Sequence, residues 1–449
     1  MTDPAIAVAP RSADELLRLR RAHLNPTLSV AYREPLKIVR GEGVWLYDEN
    51  GQGYLDLVNN VCHVGHCHPR VVRAGAEQMA RLNTNTRYLH DNLVEYALRL
   101  TATLPAPLSV VFLTNSGTEA NDLALRLARA HTRARGVIVV DHAYHGHSPS
   151  MVELSPYKFN GCGGEGQADH VAVVPMPDAW RGEIRDAADA GPRYGRMLAG
   201  AIDELRARGH RPAAFYCESL LGCGGQIKLP DGYLREAYAR VRAAGGLCLA
   251  DEVQVGFGRV GDALWAFERQ GVVPDLLTLG KPIGNGHPLG AVVTTPEVAA
   301  SFVTGMEYFN TFGGNPVSCA IGLAVLEVIR DEGLQDNAAR VGAFLLDGLR
   351  EIQSRHPGIG QVRGRGLFIG AEFVTDPETR APDSARVRAV VEAMKARHVL
   401  LSTDGPDDNV LKIKPPVVFS RANAQELLEK LDAALGEIPL ADTSAETHP

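Results

Sequence analysis

From about Leu93 to Thr295 the chain repeats one pattern, a short apolar run followed by a turn and then a segment with helical spacing. The apolar runs are Val110–Leu113, Gly136–Val140, Val171–Val174, Ala213–Cys217, Gly246–Ala250, Leu276–Gly280 and Gly290–Thr295. Glu119–His131, Met197–Arg208 and Tyr233–Ala244 carry helical patterns between them. A run that is apolar throughout suits a strand covered on both faces, and strands alternating with helices pair in parallel through crossovers. The expected fold class is therefore α/β, with a large domain whose mostly parallel sheet is flanked by helices. Sheets of this kind bind ligands outside the carboxyl ends of their strands. Two of the runs end in reactive groups at that edge: Asp251 follows Gly246–Ala250, and Lys281 follows Leu276–Gly280.

The flanks differ. Ala13–Leu24 suits a short amphipathic helix, and Gly43–Leu57 reads as a hairpin turning at Asp48-Glu-Asn-Gly51. His68-Pro69 opens a helix to about Leu82. Pro316–Asp331 is a long helical pattern leading out of the central domain, followed by a smaller α/β region. That region has helices near 337–355, 384–397 and 422–435, and strands near 367–373 and 410–413. The expected division is an N-terminal segment, 1–65, joining the small domain; a large domain, 66–320; a C-terminal small domain, 321–438; and a tail, 439–449. A net charge of −7 argues against nucleic acid and anionic membrane as partners. No apolar run approaches the roughly 18 residues of a membrane span, and Met1-Thr-Asp-Pro lacks the order of a secretory signal. Seven dilute cysteines point to a reduced, cytoplasmic protein without a disulfide framework.

A lysine taken alone is a solvated surface residue; what matters here is its company. Ser116-Gly117-Thr118 lies between a strand and a helix, where free amides and the helix dipole receive a phosphate, though the same hydroxyls serve equally as a helix cap. Tyr144-His145 follows another strand and offers an aromatic face, which is also what a core or surface tyrosine looks like. Pyridoxal 5′-phosphate uses all of these groups. Lys281 would form an imine with it, Asp251 would keep its pyridine nitrogen protonated, and Gln254 would meet its phenolic oxygen. Burial favours the uncharged amine that Lys281 needs, against an ordinary pKa of about 10.4. Cys62-His-Val-Gly-His-Cys-His-Pro69 invites a metal, but zinc sites draw ligands from separated pairs and no second cluster exists, so a turn opened by Pro69 explains it and no metal is expected.

Taken together, Gly65–Pro69, Asn115-Ser-Gly-Thr-Glu-Ala-Asn121, Tyr144-His145-Gly146, Asp251-Glu-Val-Gln254, Gly256-Phe-Gly-Arg259, Leu279-Gly-Lys281 and Thr311-Phe-Gly-Gly-Asn-Pro316 resemble the class III aminotransferase family of pyridoxal-phosphate enzymes, fold type I. They occur in family order from about residue 35 to 420. The resemblance implies cofactor contacts from Ser116, Gly117, Thr118, Tyr144, His145, Glu218, Asp251, Gln254 and Lys281. It also implies that Thr311 reaches the phosphate from a neighbouring subunit, hence a homodimer or tetramer with shared active sites. Lys281 and Asp251 are the expected catalytic residues.

Two departures bear on the substrate. Lys412, in Val410-Leu-Lys-Ile-Lys-Pro-Pro416, stands where carboxylate-binding members carry arginine, and Cys223 stands where the second glutamate of the Glu218 stretch is found. Lysine lacks the bidentate fork of arginine. Asn59–His66, Asn85–Asp91, Ser155-Pro-Tyr-Lys-Phe-Asn160 and Gly280–Pro288 instead resemble the phospholyase branch, whose substrates are O-phosphoethanolamine or phosphohydroxylysine. The expected reaction is elimination of phosphate from a phosphorylated amine, with Arg87 and Lys412 as substrate-phosphate ligands and Lys158, Arg363 and Lys414 behind them. The alternatives are an ω-aminotransferase using pyruvate or glyoxylate, and a silent ligand sensor, which the presence of both Lys281 and Asp251 disfavours.

Overall fold

The computed structural model describes residues 9–185 and 187–438 of the chain; the first eight residues and the expected tail, 439–449, lie outside them. Its centre is a seven-stranded sheet in the order Val110–Thr114, Gly290–Thr294, Leu276–Leu279, Leu247–Asp251, Pro212–Glu218, Gly136–Val140, Val171–Val174. Gly290–Thr294 runs antiparallel to both of its neighbours, whereas the remaining pairings are parallel. The reason is length. Only residues 280–289 separate it from Leu276–Leu279, too few for a helical crossover, so the chain turns back on itself.

Most expected elements form within a residue or two of their predicted ends, and the differences have local causes. The helix after Val110–Thr114 begins at Gly117 rather than Glu119, because the Ser116 hydroxyl caps it by accepting from Glu119 N at 3.1 Å. Met197–Arg208 forms as Leu198–Ala207, and a further short helix, Ala190–Arg196, precedes it. Ile359–Arg365 was not legible as a strand, since its glycines and arginines break the apolar pattern; pairing with Phe368–Asp376 makes it one.

Two smaller sheets flank the centre. Ile38–Glu42, Trp45–Asp48 and Gly53–Asp56 form an antiparallel run, to which Val399–Leu400 adds in parallel from more than three hundred residues away. Ile359–Arg365, Phe368–Asp376, Val410–Ile413 and Ser402–Asp404 form the other. Among the described residues no helix is long and apolar enough to cross a membrane.

Arg259 ties these parts together. It is fully buried, donating to the carbonyls of Leu367 at 3.0 Å and Pro415 at 2.7 Å, and its Nη2 lies 3.2 Å from His63 Nδ1. Burial lowers the guanidinium to about 9 and His63 to about 3, so His63 is neutral, accepts from Arg259 and donates through Nε2 to Phe257 O at 2.7 Å. One side chain thus joins the loop after Asp251 to the turn at Leu367 and to the segment after Val410–Ile413. Arg259→Met leaves two buried carbonyls without donors and should cost about 2–5 kcal/mol of stability. A urea denaturation midpoint equal to the wild type would contradict this.

Candidate active site

Asp251 ends its strand in register with Glu218 on one neighbour and Thr278 on the other. Parallel strands in register point side chains of one row to the same face, so two carboxylates share one patch of the sheet edge. Asp251 is buried. Its Oδ2 accepts from Asn121 Nδ2 at 2.9 Å and from His145 Nδ1 at 2.8 Å, and its Oδ1 accepts from Val253 N at 3.1 Å. His145 is wholly buried beside Asp251, meeting the Tyr216 ring edge-on at 5.4 Å, and its Nε2 has no partner. Glu218 accepts from Gly222 N at 2.9 Å and Tyr144 N at 3.4 Å. Burial, then the charge of Asp251, push its carboxyl up to about 7, with His145 opposing.

Lys281 lies two residues beyond Leu276–Leu279, with φ +33°, a backbone angle few side-chain-bearing residues adopt. Burial lowers its amine; Asp251, Glu218 and Cys223 oppose that and Lys412 adds to it. The approach of this turn to the helix at Gly117 is close. A Cβ on Gly280 would come 3.0 Å from Gly117 Cα, and one on Gly117 would come 2.7 Å from a Val253 methyl. Backbone contact at these two glycines brings Lys281, Asp251 and the helix N-terminus together.

Ser116 is the helix cap. Among the described residues no acceptor meets the amides of Gly117 and Thr118, and Thr118 Oγ1 lies 3.0 Å from His147 Nδ1. Tyr144 packs edge-on to Tyr157 at 6.0 Å, and Lys158 Nζ lies over both rings, 5.7 and 4.9 Å from their centres. These residues fit pyridoxal phosphate. A desolvated amine, a buried carboxylate with acceptor capacity left on Oδ1, two free amides at a sixteen-residue helix and an aromatic side chain surround one edge of the sheet.

A second cationic centre adjoins them. Lys412 and Lys414, two apart and so on one face of an extended segment, both place Nζ 3.3 Å from Asp404 Oδ2. Burial pushes the Asp404 carboxyl up, but Lys414, Lys412 and Gln226 outweigh it and hold it below its usual value. Gln226 donates to the same Oδ2 at 2.7 Å. Burial raises the Cys223 thiol here to about 12. Asp404 and Gln226 were not read from the sequence, since a lone Asp or Gln has no signal; Lys414 was readable from its spacing to Lys412.

Other candidates lie elsewhere or are engaged. Arg363 donates to Glu372 and to Gly225 O. Arg87 pairs with Glu307 at 3.1 Å and stacks 4.2 Å over Phe309; among the described residues no contact joins it to Lys281, Asp251 or Lys412. Thr311 is exposed beside Phe312. In the histidine-rich stretch, His63 faces Phe257 O and Arg259, His66 faces Asp56, and His68 faces Glu332. Among the described residues no cluster of His, Cys, Asp or Glu is placed to hold a metal ion.

The raised Glu218 carboxyl has a stability signature. The folded chain holds its proton up to about 7, against an ordinary 4.5. Stability from this group is therefore full below 4.5 and is lost as pH rises through 7. In cofactor-free protein, Glu218→Gln should gain about 3 kcal/mol relative to wild type between pH 4.5 and about pH 8. Parallel stability curves across that range would rule this out.

Three comparisons bear on this geometry. The Aminotransferase class-III family profile matches residues 28–435. A Drosophila melanogaster protein named alanine–glyoxylate aminotransferase 2-like is 53% identical, covering 98% of this chain and 91% of its own. A Caenorhabditis elegans protein named ethanolamine-phosphate phospho-lyase homolog 1 is 41% identical, covering 95% and 94%. Among solved structures, a phospholyase from Arthrobacter in complex with phosphoethanolamine superposes with a TM-score of 0.90 at 43% identity, covering 94% of this chain and all of that one. The chain belongs to the class III aminotransferase family of pyridoxal-phosphate enzymes, built on the fold type I scaffold.

Proposed function

We propose that the chain is a phospholyase that eliminates phosphate from a phosphorylated amine, most simply O-phosphoethanolamine, giving acetaldehyde, ammonia and phosphate with one water consumed. The observation that carries this reading is the second cationic centre. Lys412 faces the Lys281 cluster with Lys414 behind it; one carboxylate, Asp404, is shared between the two ammonium groups, and Cys223 stands where a further glutamate would oppose them. Ammonium groups act as compact point charges toward phosphate, whereas planar carboxylate recognition favours a guanidinium. The names of the C. elegans and Arthrobacter proteins add support.

When bound, pyridoxal phosphate supplies the electron sink for the carbon bearing the substrate nitrogen. The chain's own residues do the rest. The amides of Gly117 and Thr118, with Ser116, hold the cofactor phosphate. Tyr144 covers a ring face. Asp251, oriented by Asn121 and His145, holds a proton at the pyridine nitrogen. Lys281 Nζ, biased by burial toward its uncharged form, takes the proton from the substrate carbon. Lys412 holds the leaving phosphate, which requires Asp404 to share it.

Arg87 and Thr311 belong to this reading through a second copy of the chain. They lie among the exposed side chains Tyr88, Leu89, Met306, Phe309 and Phe312, an apolar face suited to burial in a homodimer. Across it both would approach the partner's site. The exposed Arg87–Glu307 pair contributes at most about 1 kcal/mol and is easily exchanged. Seven free cysteines agree with a cytoplasmic setting.

A second reading, an ω-aminotransferase, is favoured by the name of the D. melanogaster relative. The two differ in what they consume. The phospholyase should release phosphate from O-phosphoethanolamine at the same rate with and without pyruvate. Turnover that needs a keto acid and releases no phosphate would replace it by the aminotransferase. Lys412→Met, and Arg87→Ala, should each raise KM for O-phosphoethanolamine about tenfold or more while sparing unphosphorylated amines. An unchanged KM removes that residue from the phosphate site.

A further inference from the structure

The side-chain amide of Gln254 has its direction set by its neighbours. Oε1 lies 3.1 Å from Lys414 Nζ and 3.1 Å from Asn60 Nδ2. An ammonium group has donors only, so the atom facing Lys414 must be the amide oxygen. Nε2 therefore points away from Lys414, over Gly222. A Cβ built on that glycine would come 2.6 Å from Gln254 Nε2 and 2.9 Å from Glu218 Oε2. Among the described residues no hydrogen-bond acceptor is placed on Nε2. Gln254 thus offers an N–H, not a carbonyl, to the Glu218 side of the site.

Lys414 is not itself a substrate group. Its side chain is 2% exposed, its ammonium lies 3.3 Å from Asp404 Oδ2 and 4.6 Å over the Phe368 ring, and its backbone N donates to Leu57 O at 2.8 Å. Asp404, Lys412, Cys223 and Glu218 are the titratable groups that face it. A buried cation whose free donor ends on a neutral amide polarises that amide, and the effect passes to the hydrogen bond made at the amide's other end.

We propose that Lys414 is a positioning residue: it locks Gln254 as a donor toward the phenolic oxygen of pyridoxal phosphate and, through the polarised amide, stabilises the ionised form of that oxygen. This rests on the placement of the cofactor at Lys281 given above. A donor on the phenolic oxygen weakens its hold on the proton it shares within the bound cofactor, so the loss of that donor raises the pH at which the proton leaves.

The test is a spectral titration. Wild-type holoenzyme and the variants Lys414→Met, Lys414→Arg and Gln254→Glu are reconstituted with pyridoxal phosphate, and the absorbance of the bound cofactor is followed with pH. Lys414→Met should raise the midpoint by about one pH unit. Lys414→Arg, which keeps a charged donor, should restore most of the wild-type value. Gln254→Glu, which leaves Lys414 in place but removes the N–H, should raise the midpoint at least as far. If Lys414→Met does not fold because Asp404 loses a buried partner, Lys414→Met/Asp404→Asn compared with Asp404→Asn carries the same test. A Lys414→Met midpoint that coincides with wild type, or a Lys414→Arg midpoint no closer to wild type than that of Met, overturns the inference alone. A wild-type chain that takes up no chromophore overturns both it and the cofactor placement.

Discussion

Two carboxylates and an amine share one dry edge of the central sheet, and most of the surrounding structure manages that charge. Glu218 and Asp251 stand in register on adjacent parallel strands, and Lys281 follows the next strand. Like charges so close cannot both ionise freely in a buried setting. The fold resolves the conflict by unequal solvation. Asp251 receives three donors, from Asn121, His145 and Val253, whereas Glu218 receives two backbone amides and is pushed toward its neutral form. The same register that makes the sheet therefore assigns different roles to two similar residues.

Beside this edge the Lys412–Asp404–Lys414 cluster repeats the problem with the opposite sign. One carboxylate serves two ammonium groups and accepts from Gln226 as well. Lys414 is sealed in and turns its remaining donor to Gln254; Lys412 is the more open of the two. Burial alone distinguishes a deep cation from a shallower one within a single cluster.

Much of this was legible beforehand because it depends on local pattern. Buried parallel strands read as unbroken apolar runs, and a strand that stops at Asp251 or just before Lys281 marks its own carboxyl end. The cap at Ser116 was readable, although the helix takes up Gly117, which looked like loop. What escaped was whatever depends on pairing across long separations. Ile359–Arg365 is a strand only because Phe368–Asp376 lies beside it, and Val399–Leu400 only because Gly53–Asp56 does. His145 was grouped with Tyr144 as a cofactor residue, and the structure sets it beside Asp251, out of solvent, a placement that adjacency in sequence does not reveal.

By itself the amino-acid sequence determined the α/β alternation, the ends of the strands, the chemical set of amine, carboxylate, hydroxyls and aromatic ring, and the family those motifs belong to. Each of these follows from nearest-neighbour chemistry: side-chain period, capping and the polarity of short runs. Only the tertiary structure decided which carboxylate is raised and which way the Gln254 amide points. It also decided that Arg259 joins three distant segments and that Arg87 is engaged by Glu307 and Phe309. Those outcomes depend on desolvation and on hydrogen-bond partners far apart in sequence, and neither quantity exists until the chain has closed on itself.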